Sequence, residues 1–241
     1  YRHSNGKAGR TGPARPRPYN HEMECSCLTW QGPQRNFNRE KRLVFYETED
    51  NKHGLRHDPF KALVAPRPIG WISTLSPDGV LNLAPYSYFN GIADRPKFVM
   101  FSSGGRKDSV VNAEATGEFV CSMATYELRA EMNQTSAQVG PEIDEMALAK
   151  LESAPSTLVK PPRVARSPAA LECKYHQTVA LPGANGLDGN YLVIGQVVGI
   201  YIADEFIEDG MVDITKYRPI ARLGYMDYTV VDEVFSMIRP D

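Results

Sequence analysis

Eight consecutive residues, Ser102-Ser103-Gly104-Gly105-Arg106-Lys107-Asp108-Ser109, bring together two cations, three hydroxyls and two glycines. Glycines leave backbone N–H groups accessible, and the run feeds a helix-like stretch whose N-terminus carries partial positive charge. Such a set suits a phosphate monoester. The same composition also serves as an ordinary helix entry. A second segment, Asn82-Leu83-Ala84-Pro85-Tyr86-Ser87-Tyr88-Phe89, alternates polar and aromatic groups. A planar heterocycle needs that mixture, apolar faces for its ring and amide or backbone groups for its heteroatoms. Its alternative is a half-buried strand with tyrosines at the rim. Neither segment is a GxGxxG turn or a Gly-Lys-Ser/Thr phosphate loop, so the common nucleotide signatures are absent.

The elements around these segments are mostly strands. Residues 67–75 form a β-rich run that ends at Ser76-Pro77-Asp78-Gly79, a turn signal with Gly available for positive φ. Val80–Phe89 reads as the return strand, and Lys97–Ser102 as a third. Asp108 or Ser109 is placed to cap a helix running to about Thr116, with Gly117 closing it in the left-handed position. Glu118–Ala124 is a fourth strand. Tyr126–Ala137 and Ile143–Glu152 carry helical spacing, the latter through Ile143, Met146, Ala147 and Leu151. Pro155–Pro168 is a proline-rich loop. Ala170–Leu181 and Tyr191–Ala203 are long strands around a glycine-rich turn, and Ile220–Val231 is another. Successive strands with few inserted helices predict an antiparallel barrel, not a doubly wound sheet.

Taken together and in order, these motifs resemble the flavin reductase-like, FMN-binding split-barrel family. The resemblance rests on Arg67-Pro68-Ile69-Gly70-Trp71-Ile72-Ser73-Thr74, Pro77-Asp78-Gly79, Asn82 through Phe89, Arg106-Lys107-Asp108-Ser109 and Glu118-Phe119-Val120. It extends to His57-Asp58-Pro59-Phe60 upstream and Arg222-Leu223-Gly224-Tyr225 downstream, covering about residues 44–240. It implies a mainly β fold with a few helices, a six-stranded antiparallel split β-barrel of Greek-key type, assembled as a homodimer with FMN near the subunit interface. It further implies that Ser73 and Thr74 lie on the strand lining the flavin site. Asn82, Leu83 and Ala84 would meet the isoalloxazine edge, largely through backbone, with Ser87 and Tyr88 bordering the ring or ribityl chain. Ser102, Arg106, Lys107 and Ser109 would hold the phosphate, Asp108 would cap or orient, and Tyr225 would cover a ring face.

The activity implied is an NAD(P)H-dependent flavin reductase, an oxidoreductase that passes hydride from NADH or NADPH to FMN, with a partner monooxygenase as one possible acceptor. The flavin carries the chemistry, so no side chain is assigned as a catalytic acid, base or nucleophile. The alternative reading is an FMN-binding electron-transfer protein without nicotinamide activity of its own, and a further one is a barrel that has lost its flavin and serves as a binding module.

Composition sets the remaining bounds. The chain has 241 residues, 42% of them hydrophobic and 23% charged, the make-up of a globular protein. Its net charge of -2 hides an asymmetry: residues 1–57 are basic, whereas 58–241 are acidic. Residues 1–42, rich in Arg, Gly and Pro without apolar periodicity, read as a basic disordered extension, and 43–241 as the barrel domain. Scattered charges of that kind do not by themselves predict nucleic-acid binding. The 4 cysteines follow no CxxC or zinc-ribbon spacing, Cys121 and Cys173 lie in apolar runs, and Cys25-Ser26-Cys27 falls in the extension. No stretch is apolar enough for a membrane span or secretory signal, which predicts a cytoplasmic protein. His53 and His57 stand four apart, but Gly54 and Pro59 argue against a helix there, and no metal is expected. His176 is expected at the barrel surface.

Overall fold

The run that follows Pro68 alternates its side chains between two covered faces and becomes β1 (Gly70–Leu75) of a seven-stranded antiparallel sheet. The other strands are β2 (Leu81–Tyr86), β3 (Phe89–Asp94), β4 (Lys97–Gly104), β5 (Glu118–Met123), β6 (Ala169–Ala180) and β7 (Asn190–Ile202). The computed structural model describes residues 43–184 and 186–240, so residues 1–42, with Cys25 and Cys27, lie outside the described residues. Contacts group the chain from Tyr46 onward as one compact unit.

Strand order is β2-β1-β5-β6-β7-β4-β3. The two edge strands, β2 and β3, are consecutive in sequence and joined only by Ser87 and Tyr88, so the sheet must curl until its edges meet. The Ser102 N–H of β4 donates to the Tyr88 carbonyl at 2.8 Å, carrying the β3–β4 pairing up to the corner. Because β2 and β3 do not pair with each other, the barrel is split at that seam. The sheet has seven strands where six were expected, since the single return strand expected over Val80–Phe89 breaks at Ser87-Tyr88 and resumes as β3.

Local signals set the turns. Ser76 N–H donates to the Val80 carbonyl at 2.9 Å, closing the β1–β2 hairpin with Gly79 at φ +87. Helix α1 (Asp108–Thr116) follows β4 and ends at Gly117, left-handed at φ +75, as its sequence predicts. The two later helices are shorter than their periodicity suggests: α2 is Arg129–Gln134 and α3 is Glu145–Leu148. The expected strand Ile220–Val231 is two short ones, Ile220–Arg222 and Tyr228–Val230, separated by a turn in which Leu223 N–H donates to Asp227 O. Arg67–Pro68 pairs with the first of these in a separate three-stranded sheet. Within the proline-rich loop, Arg163–Val164 pairs with Ser153–Ala154.

Two buried clusters use the two faces of β1. Ile72 points into the barrel with Val99, Phe101, Val110, Phe119, Cys121, Cys173 and Val193. Trp71 points outward, under the segment carrying α2 and α3, with Leu83, Leu128, Met132 and Met146. The Trp71 indole N–H donates to Thr135 Oγ1 at 2.9 Å, anchoring that segment to the barrel wall. Burial pushes the Cys121 thiol up to about 12, so it packs as a small apolar group. Among the described residues no helix is long and apolar enough to cross a membrane.

Candidate functional site

Period-two geometry sorts the expected site residues. On β1, Ser73 and Thr74 face opposite sides of the sheet. Ser73 Oγ donates outward to the Pro162 carbonyl at 2.5 Å. Thr74 faces α1, where its Oγ1 accepts from Asn82 Nδ2 and from Asn112 Nδ2, both at 3.2 Å. Asn82 also donates to Ser109 Oγ at 2.9 Å. All four side chains are buried. This network ties the first turn of α1 to the β1–β2 hairpin, and it leaves the Ser109 hydroxyl hydrogen free to donate elsewhere.

The first turn of α1 is uncapped by side chains. Lys107 occupies the N-cap position in extended backbone and provides no cap bond, so neither Asp108 nor Ser109 takes the capping role expected of it. Val110 and Val111 N–H groups both donate to the Lys107 carbonyl. Among the described residues the N–H groups of Asp108 and Ser109 find no acceptor, and the Lys107 ammonium has no carboxylate partner. Free N–H donors at a helix N-terminus beside an exposed cation are the donor set an anion needs.

These groups open onto a cleft of ≈ 470 Å³. Asn82, Ala84, Pro85 and Tyr86 form its strand wall, Lys107, Asp108 and Ser109 its helix end, and residues 135–139 with Glu145 its far side. The volume lies within the range of small-molecule sites. Burial pushes the Tyr86 phenol up from its ordinary value, the neighbouring Ser109 and Ser103 hydroxyls work against this, and the charges of Asp108 and Glu145 add to the rise. The phenol therefore stays protonated.

Glu145 escaped the sequence reading. Its side chain is buried, and Oε2 accepts the Leu83 N–H at 2.9 Å. Burial raises its carboxyl above the ordinary carboxylate range; the Leu83 N–H and its own N–H oppose this, while the Asp108 and Asp144 charges reinforce it. Leu83 thus gives its outward N–H to a protein carboxylate, and its side chain is in the Trp71 cluster. The signal for Glu145 was faint, an acid inside an apolar helical run, and its partner lies 62 residues away.

Asn82, Ala84, Lys107 and Ser109 therefore meet in one cleft, with Thr74 directly behind them. The other expected residues lie outside its lining. Ser87 and Tyr88 sit at the seam, the Tyr88 ring 5.9 Å from the Arg67 guanidinium. Ser102 Oγ accepts from Asn190 Nδ2 at 3.0 Å. Arg106 pairs with Glu114 at 2.5 Å and stacks near the Tyr191 ring. Tyr225, half exposed in a left-handed conformation, packs near the His57 ring. His53 lies on no helix, its Nδ1 accepting the Leu55 N–H, and His176 is exposed beside Phe98.

A sequence model of the Flavin reductase like domain matches residues 63–221, two thirds of the chain. The chain belongs to this family. An uncharacterized protein of Aquifex aeolicus is 38% identical over 168 residues, 67% of this chain and 83% of that one. Nitrilotriacetate monooxygenase component B from Bacillus cereus is 30% identical with a TM-score of 0.74, over 82% of this chain and 100% of that one. A Shewanella frigidimarina protein with a split barrel domain, 20% identical, shares the fold at a TM-score of 0.68, over 75% and 90% of the two chains. The flavin reductase-like split barrel is thus the architecture that carries the cleft.

Proposed function

We propose that the cleft binds FMN and that the protein is an NAD(P)H-dependent flavin reductase. The observation that carries this reading is the uncapped first turn of α1 beside the unpaired ammonium of Lys107, opening onto a cleft with a strand wall of amide, apolar and aromatic groups. The donor set fits the group: Lys107, the N–H groups of Asp108 and Ser109, and the Ser109 hydroxyl would hold the phosphate. Asn82, Ala84, Pro85 and Tyr86 would line the rest of the molecule. When bound, the flavin supplies the hydride-accepting chemistry.

The chain's own residues bind and orient. Thr74, Asn82 and Asn112 fix Ser109, so the helix end is held in place before any ligand arrives. Glu145 occupies the Leu83 N–H and so holds α3 against β2, closing the far side of the cleft. No side chain is required to move a proton. Similarity to a monooxygenase component supports a partner oxygenase as the acceptor of the reducing equivalents.

The test is anaerobic addition of NADH or NADPH to the FMN-loaded protein, followed at the flavin's visible absorption. Bleaching by either nucleotide is expected. A protein that binds FMN but is bleached by neither is the electron-transfer protein, and the reductase reading falls.

A further inference from the structure

Among the described residues two glutamates are buried, and they are used differently. Glu172 on β6 accepts with both oxygens, Oε1 from the Thr157 N–H at 2.8 Å and Oε2 from the Leu158 N–H at 2.6 Å. Its carboxylate is satisfied by the proline-rich loop. Glu145 on α3 has one oxygen so occupied, Oε2 by the Leu83 N–H at 2.9 Å. Apart from its own N–H, no further donor among the described residues reaches it, and no cation pairs with it. Yet it is this carboxyl, and not that of Glu172, that lines the cleft.

The groups facing Glu145 make a charge there costly. Asp108 acts on it from α1 and Asp144 from the start of its own helix, and both disfavour the ionised form. From β2 comes the Tyr86 phenol, itself kept neutral. Lys107 is the basic residue of the lining, at the end of α1 where the phosphate of FMN is placed in the reading above. Leu83 follows Asn82, whose amide holds Ser109, so the carboxyl is anchored one strand residue away from the groups that would hold that phosphate.

A phosphate monoester brings a charge of about −1.5 to −2 near neutral pH. One lysine does not offset that charge together with Asp108, Asp144 and an ionised Glu145. The cleft admits the phosphate at least cost when a proton enters with it, because a nearby like charge disfavours a carboxylate and linkage makes the effect mutual. Protonated, Glu145 can keep Oε2 on the Leu83 N–H and gains an O–H donor. We infer that Glu145 is a proton-linked residue of the flavin cleft: FMN is received with the Glu145 carboxyl protonated and its O–H available to the ligand, whereas the ionised form rejects the phosphate. The inference rests on the FMN reading and adds to it a dependence on pH. The proton comes from solvent and stays on Glu145; none passes to the flavin.

The test is titration of FMN and of riboflavin into the flavin-free wild type and Glu145→Gln, followed by flavin fluorescence from about pH 5 to about pH 8. Glutamine keeps an oxygen for the Leu83 N–H and offers an N–H where the acid offers its O–H, but it never ionises. The ionisation of the phosphate, of Asp108 and of Asp144 is common to both proteins and cancels in the ratio of their dissociation constants. For FMN that ratio, wild type over variant, is expected to rise by about tenfold or more as pH rises, and for riboflavin by less than about threefold. Calorimetry in buffers of different ionisation enthalpy is expected to show the wild type taking up more protons with FMN than the variant does. Should Glu145→Gln misfold, Asp144→Asn decides instead. Asparagine still caps α3, and with one acidic charge removed the weakening of FMN binding is expected to begin at lower pH than in wild type. An FMN ratio that is constant with pH, or an Asp144→Asn profile that is unshifted, overturns the inference and leaves the FMN reading standing. Wild type that binds no FMN at any pH overturns both.

Discussion

Arg106 and Lys107 are adjacent cations that the structure uses differently. Arg106 is bound to Glu114 on the exposed side of α1, whereas Lys107 lines the cleft and, among the described residues, forms no ion pair. Lys107→Ala should therefore weaken FMN binding by about 1–3 kcal/mol, the cost of a lost charge-assisted hydrogen bond. Arg106→Ala should cost distinctly less, and equal losses in fluorescence titrations would contradict the assignment. Sequence alone put both at the phosphate because their chemistry is the same; Glu114, eight residues on, decides between them. Glu145 gives a prediction in pH. Its carboxyl is raised in the folded state, chiefly by burial. Below the ordinary carboxylate value both states are protonated and its contribution is fully present. As pH rises toward the folded value, the unfolded chain ionises first and stability is lost. Urea unfolding across that window should show wild type losing stability relative to Glu145→Gln as pH rises. A difference that stays constant with pH would refute the burial argument.

At the scale of elements, the parts set by near neighbours were the readable ones. The Ser76–Gly79 turn, the loop entering α1 and the Gly117 stop are encoded within a few residues, and each forms where its residues indicate. The seam at Ser87-Tyr88 was hidden because apolar and aromatic residues run through it without a glycine or proline after Pro85. The short α2 and α3 were over-read for a different reason: their apolar positions are spent on covering Trp71 and Leu83, and only one or two turns are needed for that. Strand β7 contains a close approach that only its packing explains. Gly195 sits at a register shift against β6, and a Cβ there would overlap the ring of Phe119. Phe119 is fully buried and has no room to yield. Gly195→Ala should destabilise the protein by about 1–3 kcal/mol, read from denaturant midpoints at unchanged slope. Gly117→Ala, in open space but left-handed, should cost about 1 kcal/mol through backbone strain alone. A reversed order of the two would show that the barrel interior repacks freely.

For the molecule as a whole, the family and its fold were readable from motif order, whereas the composition of the cleft was not. Its strand wall and helix end come from sequence-local clusters, but its far side, residues 135–139 and Glu145, arrives through tertiary packing. The acidic balance of residues 58–241 makes the N-terminus of α1 a local exception, a place where donors and one cation converge in an otherwise negative unit. The most direct measurement of the central claim is a titration of FMN into the flavin-free protein, followed by flavin fluorescence, with riboflavin as the comparison. Saturable binding of FMN, with riboflavin bound more weakly by about tenfold or more for want of the phosphate, is the predicted result. No binding of FMN, or equal affinity for the two, would contradict the phosphate site at Lys107 and Ser109 and the account built on it.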